Sequence, residues 1–204
     1  TADDTLNYSI RVGQPQIEFT SGLDQVFVLN DGTVTLDTIR YTENTAGTAV
    51  DTIQLIIPDT LDVKWSSDNF EIAGTGAEKI ENTTLSSDSS IINLELKTDS
   101  VFSVSDSLIV TNLQLELDSV SHRNFLTLRV NNTGADDDII NQHIRVGSPI
   151  ISSADPQVFV VGDPDITMSA ITITEDNEEA AIDTTDGILI RFFSIFRISF
   201  RAVH

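Results

Sequence analysis

The sequence predicts an all-β protein built from antiparallel β-sandwiches, and three observations support this fold class. Nearly every apolar stretch has the two-residue period of a strand, in which alternate side chains face opposite sides of a sheet. Clusters of Asp, Asn, Gly and Ser separate these stretches at intervals of about eight to twelve residues, a spacing typical of sandwiches and barrels. No convincing helical pattern of about ten residues or more precedes residue 188. We therefore expect about ten short strands in facing sheets, with a sandwich favoured over a barrel.

The strands are expected in order along the chain. Residues 25–29 and 34–39 are β-branched runs on either side of Asn30-Asp31-Gly32, which supplies the positive φ that a turn requires. Residues 53–57 form a continuous apolar run that ends at Pro58. Trp65 alternates with polar neighbours in its segment and is predicted to lie in the core. The strands with the clearest alternation are 61–65, 91–97, 113–118 and 125–130.

A long block of the sequence occurs twice. Ile10-Arg11-Val12-Gly13 returns at residues 144–147, an offset of 134, and Gln25-Val26-Phe27-Val28 returns at 157–160, an offset of 132. The positions that also match are Pro15 and Pro149, Ile17 and Ile151, Ile39 and Ile171, Glu43 and Glu175, residues 2–4 and 135–137, and residues 51–55 and 186–190. A repeat of this length exceeds the roughly 20 to 50 residues of a solenoid unit, so it indicates whole domains in tandem.

The repeat divides the chain into three parts. Residues 1–12 are predicted to be the last strand of a preceding copy, 13–147 a complete β-sandwich repeat, and 148–204 the truncated start of the next copy. A short junction near Gly147 is expected to couple the copies semi-rigidly. Residues 192–204 are atypical, because residues 191–201 hold four Phe and three Arg. This tail is either a strand or basic amphipathic segment, or the point at which the sequence leaves the natural repeat.

The charge balance excludes several classes of function. The chain has 32 acidic and 11 basic residues and a net charge of −21. Nucleic acid is therefore not expected as a partner, since phosphate binding needs clustered Lys and Arg, and an anionic membrane surface is disfavoured for the same reason. No Cys is present, which excludes disulfides, thiol catalysis and zinc–thiolate sites. The apolar run 188–200 is too short and too charged for membrane insertion.

The sequence contains no motif that indicates catalysis. Phosphate-binding glycine loops, nucleophile elbows and His-Glu-x-x-His are all missing. The three His are isolated in the sequence; His143 is interpreted as structural and His122 as a loop residue. Pairs of carboxylates carry no weight in so acidic a chain. We therefore expect neither an enzyme nor a required cofactor.

Acidic clusters near the predicted repeat junctions are candidate calcium sites. Calcium takes about six to eight oxygen ligands, which closely spaced carboxylates supply. None of the clusters has the Asp-x-Asp-x-Asp-Gly spacing, so solvated acidic turns are the competing interpretation. Further acidic residues between 175 and 179 fill a predicted hairpin. The candidate ligands are Asp136, Asp137, Asp138, Asp163 and Asp165.

Several segments resemble tandem immunoglobulin-like or cohesin-like β-sandwich modules of large secreted bacterial surface proteins. The resemblance rests on segments that span most of residues 13–190, namely 56–65, 106–113, 126–131, 157–163 and 170–176. It implies an extracellular stalk, adhesin or surface layer, whose partners are neighbouring repeats and a cell-surface glycan or protein. Cohesins proper bind dockerins, but no residues of this sequence support a dockerin as its partner.

Two other functions remain open. One is a carbohydrate-binding accessory module of a secreted polysaccharide-degrading protein, which exposed aromatic residues near Trp65 or Tyr41 would favour. The other is a self-assembling filament subunit, a homo-polymer in which residues 6–12 of one chain complete a neighbour's sheet.

Overall fold

A computed structural model describes residues 16–44, 51–66, 69–131, 138–140, 142–154, 160, 167–182 and 188 of the chain. Two short 3-10 turns, Leu29–Asp31 and Ala77–Lys79, are the helical elements of this part. Its strands are β1 (Gln16–Phe19), β2 (Gln25–Val28), β3 (Thr33–Thr35), β4 (Ile39–Thr42), β5 (Thr52–Ile56), β6 (Val63–Trp65), β7 (Glu71–Ala73), β8 (Ile80–Leu85), β9 (Ile91–Leu96), β10 (Ser107–Thr111), β11 (Gln114–Leu117), β12 (Ser121–Asn124), β13 (Thr127–Val130), β14 (Asp138–Ile139), β15 (Ile144–Gly147), β16 (Ile150–Ser153) and β17 (Ile171–Thr174).

The strands β1 to β15 form four sheets around one apolar core, as the predicted all-β sandwich requires, and β16 and β17 form a fifth, two-stranded sheet. Their orders are β1-β4-β10-β7, β3-β11-β6, β12-β15-β2, β14-β13-β5-β9-β8 and β16-β17. Among the described strands every pairing is antiparallel except that of β15 with β2, which is parallel. This exception places the last strand of the predicted complete repeat beside one of its first strands. The fold class is confirmed, and the division into 1–12, 13–147 and 148–204 remains a prediction.

The core is built from one face of each main sheet. In the first sheet Phe19, Ile39 and Val110 are direct cross-strand neighbours, and all three are buried. In the five-stranded sheet the equivalent row passes through Leu128 and Leu55. Each such side chain contributes about 1.5–3 kcal/mol when it leaves water. The alternation of apolar and polar residues is therefore what fixes the register of these strands.

The predicted strand 34–39 is divided in the structure. β3 pairs with β11, and the chain then passes to a different sheet, where β4 lies between β1 and β10. Between them, the buried Leu36 donates its N–H to the carbonyl of Leu113, and Asp37 accepts the N–H of Ser21. The turn predicted before this segment is present, and Gly32 has the positive φ of 72° that it needs.

The hairpin β16–β17 repeats the strand pairing of β1–β4. Gln16 faces Thr42 and Phe19 faces Ile39 in the first pair; Ile150 faces Thr174 and Ser153 faces Ile171 in the second. These are the same pairs displaced by 134 residues on one strand and 132 on the other. The surroundings differ, however, because β1 and β4 bury alternate side chains, whereas β16 is exposed along its length and β17 is mostly exposed.

Candidate functional site at the end of strand β15

The segment after β17, residues 175–182, is folded by its own carboxylates, and we call it the acidic loop. Glu175 accepts the backbone N–H groups of Ala181, at 2.8 Å, and Ile182, at 2.9 Å. Asp176 accepts those of Glu178, at 2.8 Å, and Glu179, at 2.9 Å. The backbone N–H groups of the loop thus donate to side-chain carboxylates instead of to the carbonyl groups of a neighbouring strand.

These hydrogen bonds change the ionisation of both carboxyls. Burial of Glu175 opposes its ionisation, but the N–H groups of Ala181, Ile182 and Asp176 together outweigh this and lower its pKa. The pKa of Asp176 is lowered chiefly by the N–H of Glu179 and then by that of Glu178. The folded loop therefore favours the charged form of both carboxylates.

The acidic loop packs closely on the end of β15. A Cβ added to Gly147 would lie 2.4 Å from the carbonyl oxygen of Glu179 and 2.6 Å from the Cβ of Ala181. Only a residue without a side chain permits this approach of the two backbones. Beside it, Ser148 donates its N–H to Asp176 at 3.2 Å.

A second contact joins the acidic loop to β12. Glu179, only 9% exposed, accepts the N–H of Arg123 at 3.1 Å, and Nδ1 of His122 lies 3.1 Å from the same oxygen. Nε2 of His122 is also 3.8 Å from Glu178. His122 was expected in a loop, and this was wrong: it lies on β12, which pairs with β15. Its side chain is 71% exposed, and the groups facing it provide an ion pair on protonation but no nucleophile.

We call this set of contacts the junction: Gly147, Ser148, His122, Arg123 and the acidic loop. The repeat predicted a boundary near Gly147 but not the residues that contact it. The signal available was the recurrence of Gly13 as Gly147 within the repeated motif. His143, interpreted as structural, lies before β15, where its N–H is donated to Asp24 at 2.8 Å.

A separate acidic groove lies along β6 and the residues that precede it. It encloses about 380 Å³ and is lined by Asp59, Asp62, Asp88, Asp118 and Lys64 among others. Lys64 forms an ion pair with Asp118, and Ser86 and Ser90 hydrogen-bond to Asp88 and lower its pKa to about 2. In the part of the chain that the structure describes, no group of three or more His, Cys, Asp or Glu is arranged to hold a metal ion.

The predicted calcium ligands cannot be placed in this geometry. Asp136, Asp137, Asp163 and Asp165 lie outside the described residues. Asp138 begins β14, but its side chain is likewise outside the description. Calcium binding therefore stays a prediction.

The two aromatic residues that would have favoured carbohydrate binding are buried. Trp65 is 1% exposed and donates Nε1–H to the carbonyl of Ser90, as expected of a core residue. Tyr41 is 2% exposed and donates its hydroxyl to the buried Glu43 at 2.8 Å. Burial, with the adjacent Glu43 carboxylate, raises the pKa of Tyr41. Neither ring forms a platform on which a sugar could stack.

Comparison with known proteins gives no family for the chain, since neither the protein-family models nor the curated proteins contain a match. Among the described elements, no helix has the length and apolar character needed to span a bilayer.

Proposed function

We propose that the chain is a non-catalytic structural repeat module of an extracellular or cell-surface protein, coupled to its neighbour through the junction. The observation that carries this proposal is the identical register of β1–β4 and β16–β17. Two unrelated pairs of strands are not expected to share the same register. This likeness supports the tandem-repeat organisation, and the resemblance of the sequence to surface-protein modules supports the adhesive or stalk role.

The acidic loop supports the same proposal. Glu175 stands 132 residues after Glu43, and the same offset brings Ala49-Val50-Asp51-Thr52 onto residues 181–184, Ala-Ile-Asp-Thr. In this alignment Asp183 corresponds to Asp51. In the match of 51–55 with 186–190 given above, residue 186 corresponds to Asp51 instead. Both glutamates follow the second strand of their hairpin after Thr42 or Thr174. The likeness of the two sequences thus extends beyond the strands.

The junction supports a mechanical role. Its contacts come from β12, β15 and the backbone beside Gly147, so they fix the start of the next unit in several directions. A linker of this kind transmits orientation between units, as a stalk requires, where a flexible linker would not. The implied partners are neighbouring repeats and a surface glycan or protein.

Residual dipolar couplings of the whole chain test this role. We expect the amides of β16 and β17 to fit the same alignment tensor as those of β5 and β9. In Glu179→Ala they should require a separate, weaker tensor, whereas the exposed Glu18→Ala should behave as the unaltered chain. A separate tensor for β16–β17 in the unaltered chain would contradict a structural role for the junction.

Calcium is proposed only as an additional ligand of the acidic clusters. A thermal melt with EGTA and then with calcium should show a stability gain of about 2.7 kcal/mol at a hundredfold excess over the dissociation constant. The gain should disappear in the triple variant Asp136→Ala, Asp137→Ala, Asp138→Ala. No shift in either melt would rule out calcium at these residues.

A further inference from the structure

One strand pairing differs from all the others that the structure describes. β15 runs parallel to β2, with Ile144 opposite Gln25 at one end of the pair and Gly147 opposite Val28 at the other. The two strands lie near opposite ends of the predicted repeat 13–147. The pair therefore joins the segment through which the chain enters the repeat to the segment through which it leaves.

The parallel direction decides how this pair is loaded when the chain is pulled at both ends of the repeat. The pull toward the N-terminus acts on β2 at Gln25, and the pull toward the C-terminus acts on β15 at Gly147, at the far end of the pair. The force thus acts along the strands, and the main-chain hydrogen bonds share it, because they are evenly spaced along a parallel pair. In an antiparallel pair the same two strand ends would be neighbours, and the hydrogen bonds would break one after another.

The pair is anchored where both strands begin. Gln25 donates its N–H to the carbonyl of His143 at 2.8 Å, and His143 donates its own N–H to Asp24 at 2.8 Å. The ring of His143 packs on that of Phe125, with 4.0 Å between the ring centroids. These contacts oppose the sliding of β15 along β2 in the direction of the pull.

β15 is also held on its second edge and by the core. It lies between β2 and β12, so its release requires that the pairing with Ser121 and Asn124 breaks as well. Ile144 and Val146 are fully buried. Sliding of the strand would carry both side chains out of their places in the close-packed core.

The strand that precedes β2 on the path of the force is held less firmly. β1 is an edge strand and pairs with β4 alone among the described strands. Its release would pass the load to Gln25 and leave the pairing of β2 with β15 intact.

We infer that the parallel pair β2–β15 is the mechanical clamp of the repeat, the contact that must break before a pull along the chain unfolds the sandwich. This inference rests on the proposed stalk role, in which each repeat transmits force to its neighbour. It assigns the resistance within a repeat to β2–β15, whereas the junction holds one repeat against the next.

Optical tweezers test the clamp by pulling the same full chain in two directions. Because the chain contains no Cys, two introduced Cys residues define the attachment points. Leu23→Cys with Ile150→Cys loads the pair from opposite ends, whereas Asp31→Cys with Ile150→Cys loads both strands from the end at which Val28 faces Gly147. All three attachment positions are exposed. Forced unfolding is governed by the rate at which the loaded contacts break, so at one loading rate we expect the first arrangement to unfold at a force at least about twofold higher.

Asp24→Ala separates the anchoring of the clamp from general stability. It removes the acceptor of the His143 N–H, so it should lower the unfolding force in the first arrangement. In the second arrangement it should leave the force unchanged, because the pair then opens from its other end. Glu18→Ala, which removes an exposed carboxylate of β1, is the matched control and should change neither force.

Three results would overturn the inference. They are equal unfolding forces in the two arrangements, a higher force when both strands are loaded from the same end, or an equal loss of force from Asp24→Ala in both arrangements. Should Leu23→Cys fail to fold, Ser21→Cys provides an attachment on the same side of β2. Equal forces in a chain whose dipolar couplings fit one tensor would reject the clamp and leave the proposed function standing.

Discussion

Replacing Gly147 by Ala should release the acidic loop without unfolding the sandwich. The added Cβ would lie 2.4 Å from the carbonyl oxygen of Glu179, and a backbone atom cannot move aside unless the loop moves with it. Overpacking of this kind costs about 1–3 kcal/mol, which corresponds to a roughly 5- to 150-fold change in the docking equilibrium.

Amide hydrogen exchange measures this effect at two reporters. The N–H of Arg123 is bound by Glu179 and the N–H of Ser148 by Asp176, so both should lose protection by about 5- to 150-fold. The N–H of Asn131, bonded to Thr52 within the sandwich, should be unchanged. Unaltered protection at both reporters would refute the argument that the close approach at Gly147 holds the loop.

Gly22→Ala is the matched control for this substitution. An added Cβ there meets nothing within 4 Å, but the residue has a φ of +68°. We expect a loss of about 1–2 kcal/mol in overall stability from the strained turn, with no selective loss of protection at Arg123 or Ser148.

Three further predictions concern the core and the junction. Trp65→Ala should lower the free energy of unfolding by about 3–5 kcal/mol in a urea titration, and Trp65→Phe should cost less, since it keeps an aromatic ring; equal costs would contradict the packing role. Tyr41→Phe retains the edge-on contact with Phe102 but removes a donor from a buried carboxylate, so we expect a loss of about 1–3 kcal/mol by the same titration; no loss would refute the role of the hydroxyl. The junction should be acid-labile, because the pKa values of Glu175 and Asp176 are lowered from ordinary values of 4.5 and 3.8. Its protection should be complete above about pH 4.5 and disappear as pH falls through the lowered pKa values, which an exchange series would detect; protection independent of pH would contradict this.

The strands with clean alternation could be predicted because burial of one strand face requires apolar residues at alternate positions of the sequence. The segments around β9 and β11 were found in this way, and so was the core position of Trp65. β12 was missed because its four residues, Ser-His-Arg-Asn, are polar and only Ser121 is buried. Its strand conformation comes from pairing with β15, which is a tertiary cause.

At the candidate site, too, sequence could predict the position of the junction but not its tertiary contacts. The repeat indicated where a boundary would fall, since Gly13 and Gly147 end the same motif. What faces Gly147 could not be predicted, because the approach of Glu179 and Ala181 depends on the pairing of β17 with β16 and on the hydrogen bonds within the acidic loop. Sequence also could not show which acidic residues accept hydrogen bonds and which lie in solvent.

The acidic residues of the described turns have a structural use that composition alone does not reveal. Six described carboxyls have lowered pKa values, and each accepts at least one hydrogen bond from a backbone N–H or a side-chain donor; they are Asp24, Asp37, Asp88, Asp106, Glu175 and Asp176. In these turns the backbone N–H groups provide the positive partial charge next to the carboxylate that a bound cation provides in other proteins. A cation added at such a carboxylate would have to compete with donors already in place. Calcium is therefore best sought at clusters whose carboxylates are not committed to a turn, and acid should destabilise the turns at pH values where it leaves the apolar core intact.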